Sequence, residues 1–200
     1  MPEPQLYLAS TSPRRRELLA QLGISVEVVS QDVSEIRLSG ESPESYVKRL
    51  ALEKARSGLE SLGERSLLPV LGADTAVVVE NEVLGKPVGK TDALAMLQRL
   101  SGCKHRVLSA VAVVGRDDLG QDREDVRVSE SDVFFRAITI KESEAYWDTG
   151  EPVDKAGAYA IQGLAAILIE RIEGSYSGVM GLPLFETGEL LQHFGIEIIG

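Results

Sequence analysis

The chain of 200 residues is poor in several residue types, and each scarcity excludes a class of protein. Its single cysteine, Cys103, cannot form a disulfide within the chain, so we expect a reducing, cytoplasmic environment. Two histidines and one cysteine at unrelated spacings make no zinc-ligand pattern. Lysine and arginine number 21 against 31 acidic residues, which gives a net charge of −10. We therefore expect no nucleic-acid partner, because phosphate backbones are bound by an excess of basic residues.

Long apolar runs and two common catalytic motifs are also missing. No uninterrupted hydrophobic segment approaches the roughly 18 residues of a membrane span, and residues 1–4 do not resemble a signal peptide, so we expect no membrane partner. The chain has no G-x-x-x-x-G-K-[ST] loop and no G-x-S-x-G elbow, which argues against P-loop enzymes and serine hydrolases.

The residues that are present alternate between strand-like and helix-like segments. Predicted strands cover residues 5–9, 25–29, 67–71, 76–80, 106–114, 126–136 and 167–172, and predicted helices cover 13–22, 43–62, 91–100, 139–149 and 184–194. Residues 31–41, 116–125 and 174–181 read as loops. This order predicts an α/β fold with a mixed sheet flanked by helices, in a single domain over residues 1–200 or in two lobes of it.

The first predicted helix carries an unusual charge at its start. Ser12 and Pro13 open the helix, and Arg14 and Arg15 fall in its first turn. Cations are unfavourable there, because a helix N-terminus already presents free N–H groups and about half a positive charge. Such a cluster is suited to an anion, and it predicts a phosphorylated ligand.

Asp74 and Lys54 are polar residues within apolar patterns. Asp74 lies between two predicted strands, where it is either a metal ligand or general base in a cleft, or a turn aspartate that bonds its own backbone. Lys54 falls in the middle of the apolar stripe of its helix. We favour a lysine that points into a cleft toward an anion over one that snorkels past the core.

Three further residues are weaker candidates. Lys86 precedes Pro87, which fixes the backbone direction, although Gly-Lys-Pro is also common in ordinary turns. Glu35 lies in a polar loop and matters only if Asp74 needs a second carboxylate to hold a divalent ion. Gln162 could pair its amide with the ring carbonyl and N–H of uracil, thymine or guanine, or it could simply face solvent.

Six segments in this order resemble the Maf family of nucleotide pyrophosphatases. They are Leu-Ala-Ser-Thr-Ser-Pro-Arg-Arg at 8–15, Leu-Gly-Ala-Asp-Thr at 71–75, Leu-Gly-Lys-Pro at 84–87, Ser-Gly-Cys-Lys-His-Arg-Val at 101–107, Asp-Lys-Ala-Gly-Ala-Tyr at 154–159, and Gly-Ser-Tyr through Gly-Leu-Pro at 174–183. The resemblance extends over nearly the whole chain. Ser109 stands where threonine is common in that family, and the acidic loop at 116–125 has no counterpart motif.

The resemblance implies an activity and a site. The family hydrolyses nucleoside triphosphates to the monophosphate and pyrophosphate with a divalent cation, Mg²⁺ or Mn²⁺, in an elongated α/β fold with a central cleft similar to that of inosine triphosphate pyrophosphatases. Lys155 with Gln162 looks like the branch that acts on dTTP and UTP, and a homodimer is expected. Substrate-binding roles are implied for Ser10, Arg14, Arg15, Lys54, Thr75, Lys86 and Gln162, a catalytic role for Asp74, and metal binding for Asp74 and Glu35.

Three alternatives stay open at this point. The chain could act on purine nucleotides, as the sister branch associated with 7-methyl-GTP does. It could also be a non-catalytic regulator of septum formation that acts through a protein partner. Within the enzyme hypothesis, Asp74 could be the general base or only a metal ligand.

Overall fold

The structure, a computed structural model, describes residues 3–63, 68–116 and 121–199. Its strands are β1 (Leu6–Leu8), β2 (Val26–Val28), β3 (Val70–Val79), β4 (Glu82–Leu84), β5 (Lys104–Arg116), β6 (Asp122–Phe135) and β7 (Ile169–Glu173). Its helices are α1 (Pro13–Gln21), α2 (Pro43–Leu62), α3 (Lys90–Leu100), α4 (Ile140–Asp148), α5 (Tyr176–Met180) and α6 (Leu184–His193). None of the described helices is long and apolar enough to cross a membrane.

The described strands form one mixed sheet in the order β2-β1-β3-β5-β6-β7, and β4 also pairs with β3. β1 runs parallel to β2 and β3, and the remaining pairs are antiparallel. Apolar residues of β3 alternate between the two faces, as a strand requires. One face packs against α2, and the other packs against residues of α1, α3 and α6. The predicted mixed α/β fold with flanking helices is confirmed.

Several predicted boundaries were wrong, and pairing between strands explains most of them. Two strands predicted at 67–71 and 76–80 are one continuous strand, β3, because β5 pairs with it from Val70 to Val78. Part of the predicted loop at 116–125 belongs to β6, which begins at Asp122, while residues 117–120 lie outside the described chain, as does Leu67. The predicted loop at 174–181 contains the short helix α5.

Local signals located the helices well. Ser42 caps α2 with its side chain, which accepts a hydrogen bond from the Ser45 amide, and Pro43 opens the first turn. Thr139 and Glu142 form the predicted capping box of α4. These caps satisfy backbone donors within a few residues of sequence, so they can be recognised without knowledge of the tertiary fold.

His105 in β5 is a buried histidine with a partner on a distant loop. Only 2% of the residue is exposed, and its Nε2 lies 2.9 Å from the hydroxyl of Tyr159. The ring also makes edge contacts with Phe135 and Tyr159. Burial lowers the pKa of His105 to about 4, so the side chain is neutral at physiological pH.

We expect this neutral histidine to make stability depend on pH. The pKa of His105 is near 6.5 in the unfolded chain and about 4 in the folded chain. Between these pH values the unfolded chain therefore binds the proton on His105 more strongly. The free energy of unfolding should fall by about 3 kcal/mol as pH drops through this window, and His105→Gln should abolish that part of the loss. Urea unfolding of both proteins at about pH 7.5 and about pH 4.5 measures it. Equal losses in the two proteins would contradict the assignment.

Candidate active site

The site forms where one edge of β3 is left without a neighbouring strand. β1 pairs with Val70 and Leu71 on this edge, and β4 pairs with Val77 to Val79 farther along it. Between them, no strand of the described chain pairs with residues 72–76 on that edge. The gap therefore leaves the middle of β3, which carries Asp74 and Thr75, accessible from the side.

Two loops meet at this gap because of the directions of the short strands. β1 is parallel to β3 and β4 is antiparallel to it, so the carboxyl ends of both point into the gap from opposite sides. The segment after β1 carries Ser10, Arg14 and Arg15, and the segment after β4 carries Lys86. The sheet topology thus brings together cationic segments that are more than 70 residues apart in sequence.

These residues line a cleft of about 610 Å³. Eight of the nine predicted site residues border it: Ser10, Arg14, Arg15, Glu35, Lys54, Asp74, Thr75 and Lys86. The ninth, Gln162, does not border the cleft and is exposed to solvent. Its neighbour Ile161 is buried and borders the cleft, whereas the Gln162 side chain is exposed, so the predicted contact between Gln162 and a base stays a prediction.

Lys54 connects the two carboxylates at the centre of the cleft. Its Nζ donates to Asp74 Oδ1 at 2.7 Å and to Glu35 Oε1 at 2.5 Å. Lys54 and Asp74 are buried, with 5% and 7% of each residue exposed, whereas nearly half of the Glu35 side chain is exposed. The lysine within the apolar stripe of α2 therefore points into the cleft, as predicted.

Two glycines allow α2 to lie close enough to β3 for this contact. A Cβ atom at Gly72 would stand 2.3 Å from the backbone oxygen of Ala51 in α2. A Cβ at Gly58 would stand 2.8 Å from the Cβ of Ala9 beyond β1. Both distances are shorter than van der Waals contact, so only glycine permits this spacing between helix and sheet. The close packing brings Lys54 within hydrogen-bond distance of Asp74.

Burial and neighbouring charges shift the pKa values of Asp74 and Glu35 in opposite directions. Burial raises the pKa of Asp74, although the positive charges of Lys54 and Arg15 act against this rise. Burial also acts to raise the pKa of Glu35, but the hydrogen bond from Lys54 and the charges of Lys54, Lys86 and Arg15 outweigh it and lower that pKa. Burial thus makes Asp74 a better proton acceptor than a free aspartate, whereas the cations around Glu35 make it a weaker one than a free glutamate.

Arg15 is held in place by contacts on three sides. Its Nε donates to the Gly181 carbonyl at 2.9 Å, and its Nη atoms lie 3.2 Å from Ser10 Oγ and 3.5 Å from Thr75 Oγ1. Thr75 in turn lies 2.9 Å from Ser109 Oγ, which donates to the Gly178 carbonyl. Three of the five guanidinium N–H groups are used in this way, and two remain for a ligand.

A second group of cations borders the cleft with few partners of its own. Within the described chain, the Arg14 side chain makes no hydrogen bond, and the Lys86 side chain makes only a long ion pair of 3.8 Å with Glu35. Lys155 lies near both of them: its burial and the charges of Arg14 and Lys86 lower its pKa, although the charges of Asp154 and Glu151 act against this. Cations placed near one another are unfavourable without an anion between them, so this group suits a polyphosphate.

Lys155 was not among the site residues predicted from the sequence. In the sequence, residues 154–163 stand out for their small side chains and Gln162, and Lys155 only distinguishes two branches of the family. The signal available was charge, because Lys155 is a basic residue inside a stretch of small residues. Its proximity to Arg14 and Lys86 depends on tertiary structure and could not be read from spacing.

The donor set at the centre of the cleft fits a divalent cation. Among the described residues there is no group of three or more His, Cys, Asp or Glu side chains that could hold a metal by itself. Asp74 and Glu35 nevertheless share one cationic partner, so their oxygens converge on one region of space. Mg²⁺ is commonly bound by one or two carboxylates, with water and substrate phosphates completing the shell. Two carboxylates in one cleft meet the protein's part of that requirement.

Comparison with known proteins gives relatives that match along the whole chain. The dTTP/UTP pyrophosphatase of Alkalilimnicola ehrlichii is 56% identical over 197 residues, covering 97% of this chain and 95% of that protein. Proteins of the same name from Saccharophagus degradans and Hahella chejuensis are 53% and 50% identical, covering 96% and 97% of this chain and 90% and 94% of those proteins.

Solved structures give weaker matches. A nucleoside-triphosphatase/dITP/XTP pyrophosphatase from Mycobacterium abscessus aligns with a TM-score of 0.42 at 22% identity, covering 65% of this chain and 73% of that one. The Ham1 protein of Staphylococcus aureus aligns with a TM-score of 0.39 at 12% identity, covering 65% and 71%. The family description "Maf-like protein" matches residues 5–194. That match and the relatives at 50–56% identity show that this chain belongs to the Maf family.

Proposed function

We propose that this protein is a nucleoside triphosphate pyrophosphatase that hydrolyses dTTP and UTP to the monophosphate and pyrophosphate. The observation that carries the proposal is the centre of the cleft, where Lys54 joins a buried basic carboxylate, Asp74, to the more exposed Glu35. Cations on both sides of this centre suit a triphosphate. The names of the three relatives supply the pyrimidine nucleotides as the substrate class.

The cations of the cleft differ in how firmly their side chains are held. Arg14, Lys86 and Lys155 border the cleft with free N–H donors, and we assign them to the phosphate oxygens. Arg15, fixed by Ser10 and Gly181, offers its two remaining donors in a set direction. Fixed donors that neutralise charge on a leaving group are commonly the largest contribution to catalysis.

Asp74 is assigned as the general base. It accepts a proton from water as the water oxygen bonds to the α-phosphorus, and the bond to the α,β-bridging oxygen breaks to release pyrophosphate. Burial favours this role because a raised pKa makes the carboxylate a better proton acceptor. When bound, a divalent cation such as Mg²⁺ or Mn²⁺, held by Asp74 and Glu35, would neutralise charge on the phosphate oxygens.

Base selection is assigned to the side of the cleft bordered by Thr75, Tyr159 and Ile161. Gln162 follows Ile161 directly at this side of the cleft, and we assign its amide to the base of a bound nucleotide. Thymine and uracil present a carbonyl and an N–H that one amide can pair with. In the alternative, the cleft would accept a purine such as 7-methyl-GTP.

The proposal extends to the protein's setting. The net charge of −10, from 31 acidic against 21 basic residues, supports a small nucleotide partner rather than a nucleic acid or a membrane surface. We propose a single-domain, cytoplasmic enzyme that works as a homodimer, by its likeness to the family. Light scattering on the purified protein measures the mass directly, and a monomeric mass would contradict the dimer.

A panel of nucleoside triphosphates tests the function. We expect purified protein with Mg²⁺ or Mn²⁺ to release pyrophosphate from dTTP and UTP faster than from dCTP, dATP, dGTP and 7-methyl-GTP. Fastest release from 7-methyl-GTP would support the purine alternative. No release from any nucleotide would favour the non-catalytic regulator and overturn the proposal.

A further inference from the structure

The cleft wall that carries Lys155 is a loop whose two ends are joined by one carboxylate. After α4 the chain passes Glu151, forms the loop at 152–163, and enters a short 3₁₀ turn, Leu164–Leu168. Glu151 Oε2 accepts a hydrogen bond from the Leu164 amide at 2.8 Å, and Oε1 accepts from the Ala165 amide at 3.2 Å. Glu151 therefore closes the neck of the loop and caps the turn that follows it.

Tyr146 in α4 completes this closure. Its hydroxyl donates to Glu151 Oε1 at 2.7 Å and accepts a hydrogen bond from the buried Ala160 amide at 3.2 Å. One phenol and one carboxylate thus accept the hydrogen bonds of three backbone amides, those of Ala160, Leu164 and Ala165. Burial acts to raise the pKa of Glu151, but the hydrogen bonds from Tyr146 and the two amides, with the charge of Arg14, lower it and keep the group ionised.

The loop is constrained in two further places. A Cβ atom at Gly163 would stand 2.1 Å from Glu151 Oε2, so a larger residue there would displace the carboxylate. At the tip, the Gly157 amide donates to the Gly85 carbonyl at 3.0 Å, beside Lys86. Gly157 has a positive φ of 68° and packs against Val77 of β3. The body of the loop between these contacts presents Lys155 and Tyr159 to the cleft.

We propose that Glu151 and Tyr146 are positioning residues that set where Lys155 stands relative to Arg14 and Lys86, and so determine how tightly the triphosphate binds. The inference rests on the proposed function and deepens it, because neither residue borders the cleft. Glu151 acts through the loop backbone, and its charge also favours the charged form of Arg14, another cation that borders the cleft. The pair thus links two of the cations that hold the substrate.

Substitution of either residue should weaken binding more than turnover. In Glu151→Gln, the side-chain NH₂ group cannot accept the hydrogen bond that the carboxylate accepts from the Leu164 or Ala165 backbone amide. Tyr146→Phe removes the hydroxyl that contacts Glu151 and the Ala160 amide. We expect each variant to raise KM for dTTP about tenfold while kcat changes less than about threefold, the effect of losing one charge-assisted contact. Gly163→Ala, which displaces the carboxylate from the other side, should give the same split. The double variant Glu151→Gln/Tyr146→Phe should have a KM for dTTP no higher than that of the single variant with the higher KM, because the two residues act as one unit.

Glu142→Gln is the matched control. Glu142 also caps a helix start with its carboxylate and pairs with an arginine, but it lies outside the cleft. It should lower the melting temperature without changing KM. If Glu151→Gln behaved like Glu142→Gln, with a lower melting temperature and an unchanged KM, the positioning role would be wrong.

Binding of inorganic tripolyphosphate, followed by calorimetry, separates this inference from the proposed function. Wild-type protein that binds tripolyphosphate but hydrolyses no nucleotide would contradict the function alone. In that case the inference still predicts about tenfold weaker tripolyphosphate binding in Glu151→Gln and Tyr146→Phe. Unchanged affinity in both variants would overturn it, whatever the outcome of the nucleotide panel.

Discussion

Asp74→Asn is expected to lower kcat for dTTP by about 10³-fold or more, because it removes both the proposed general base and one carboxylate of the metal site. A general base alone contributes about 10² to 10⁴. The asparagine oxygen occupies the same position but cannot take a proton from water. Pyrophosphate release at saturating dTTP and Mg²⁺, measured over hours, gives the residual rate.

The same variant should keep its fold and still bind nucleotide. Charged Asp74 is disfavoured by burial, so a neutral side chain of the same shape removes a desolvation cost while Lys54 keeps Glu35 as a partner. The cations that face the phosphates are untouched. We therefore expect only a modest fall in melting temperature, because Lys54 loses its buried partner but keeps Glu35, and dTTP binding within about threefold by calorimetry with Ca²⁺ replacing Mg²⁺.

Asp132→Asn is the control for this substitution. Asp132 is also an acid on a strand of the same sheet and pairs with a lysine, Lys104, at 2.9 Å, but it lies outside the cleft. It should leave kcat nearly unchanged. A near-wild-type rate for Asp74→Asn would show that another group takes the proton from water.

The site residues that could be predicted are those that break a local sequence pattern. Lys54 was found because helical periodicity is local: a cation in the centre of an apolar stripe must be paired or point into a cavity. Arg14 and Arg15 were found for a similar reason, since a helix start is visible in the sequence and cations there are unfavourable. Both are deviations from a regular pattern, and a regular pattern can be recognised without tertiary structure.

Asp74 was placed correctly in the cleft but on the wrong local structure. Gly72-Ala73-Asp74-Thr75 has low strand propensity and reads as a turn, so a break was predicted there. The strand is continuous because β5 pairs with it from Val70 to Val78, and the partners of residues 72–75 lie 34 to 40 positions away in sequence. Gln162 and Lys155 show the same limit, because the side of a loop that faces a cleft is set by contacts at its neck and tip.

Lys54→Met is expected to combine a large loss of activity with a large loss of stability. Methionine matches the length of the lysine stem and suits the apolar stripe of α2, so the substitution removes the charge with little change in packing. Without Lys54, Asp74 and Glu35 face each other with no shared cation between them. We expect kcat/KM for dTTP to fall by about 10³-fold, the scale of losing a fixed electrostatic contact to the reacting phosphates together with the alignment of the base.

The loss of stability arises mainly from Asp74. Breaking a buried ion pair from one side costs about 3 to 5 kcal/mol, because the remaining charge keeps its desolvation penalty. The contact with Glu35 adds little, since that side chain is nearly half exposed. Asp74 can escape the penalty by taking up a proton, so the loss should be largest at alkaline pH and shrink in acid. Urea unfolding at about pH 8.5 and about pH 5.5 resolves this difference.

Lys48→Met on the same helix is the matched control. Lys48 pairs with Glu44 one turn earlier, and both side chains are well exposed, so the pair should contribute less than about 1 kcal/mol at either pH. Addition of divalent cation provides a further distinction. If Asp74 and Glu35 form the metal site, Mg²⁺ can replace the missing charge, and it should raise the melting temperature of Lys54→Met more than that of Lys48→Met. Equal shifts in the two variants would show that the carboxylates joined by Lys54 are not the ligands.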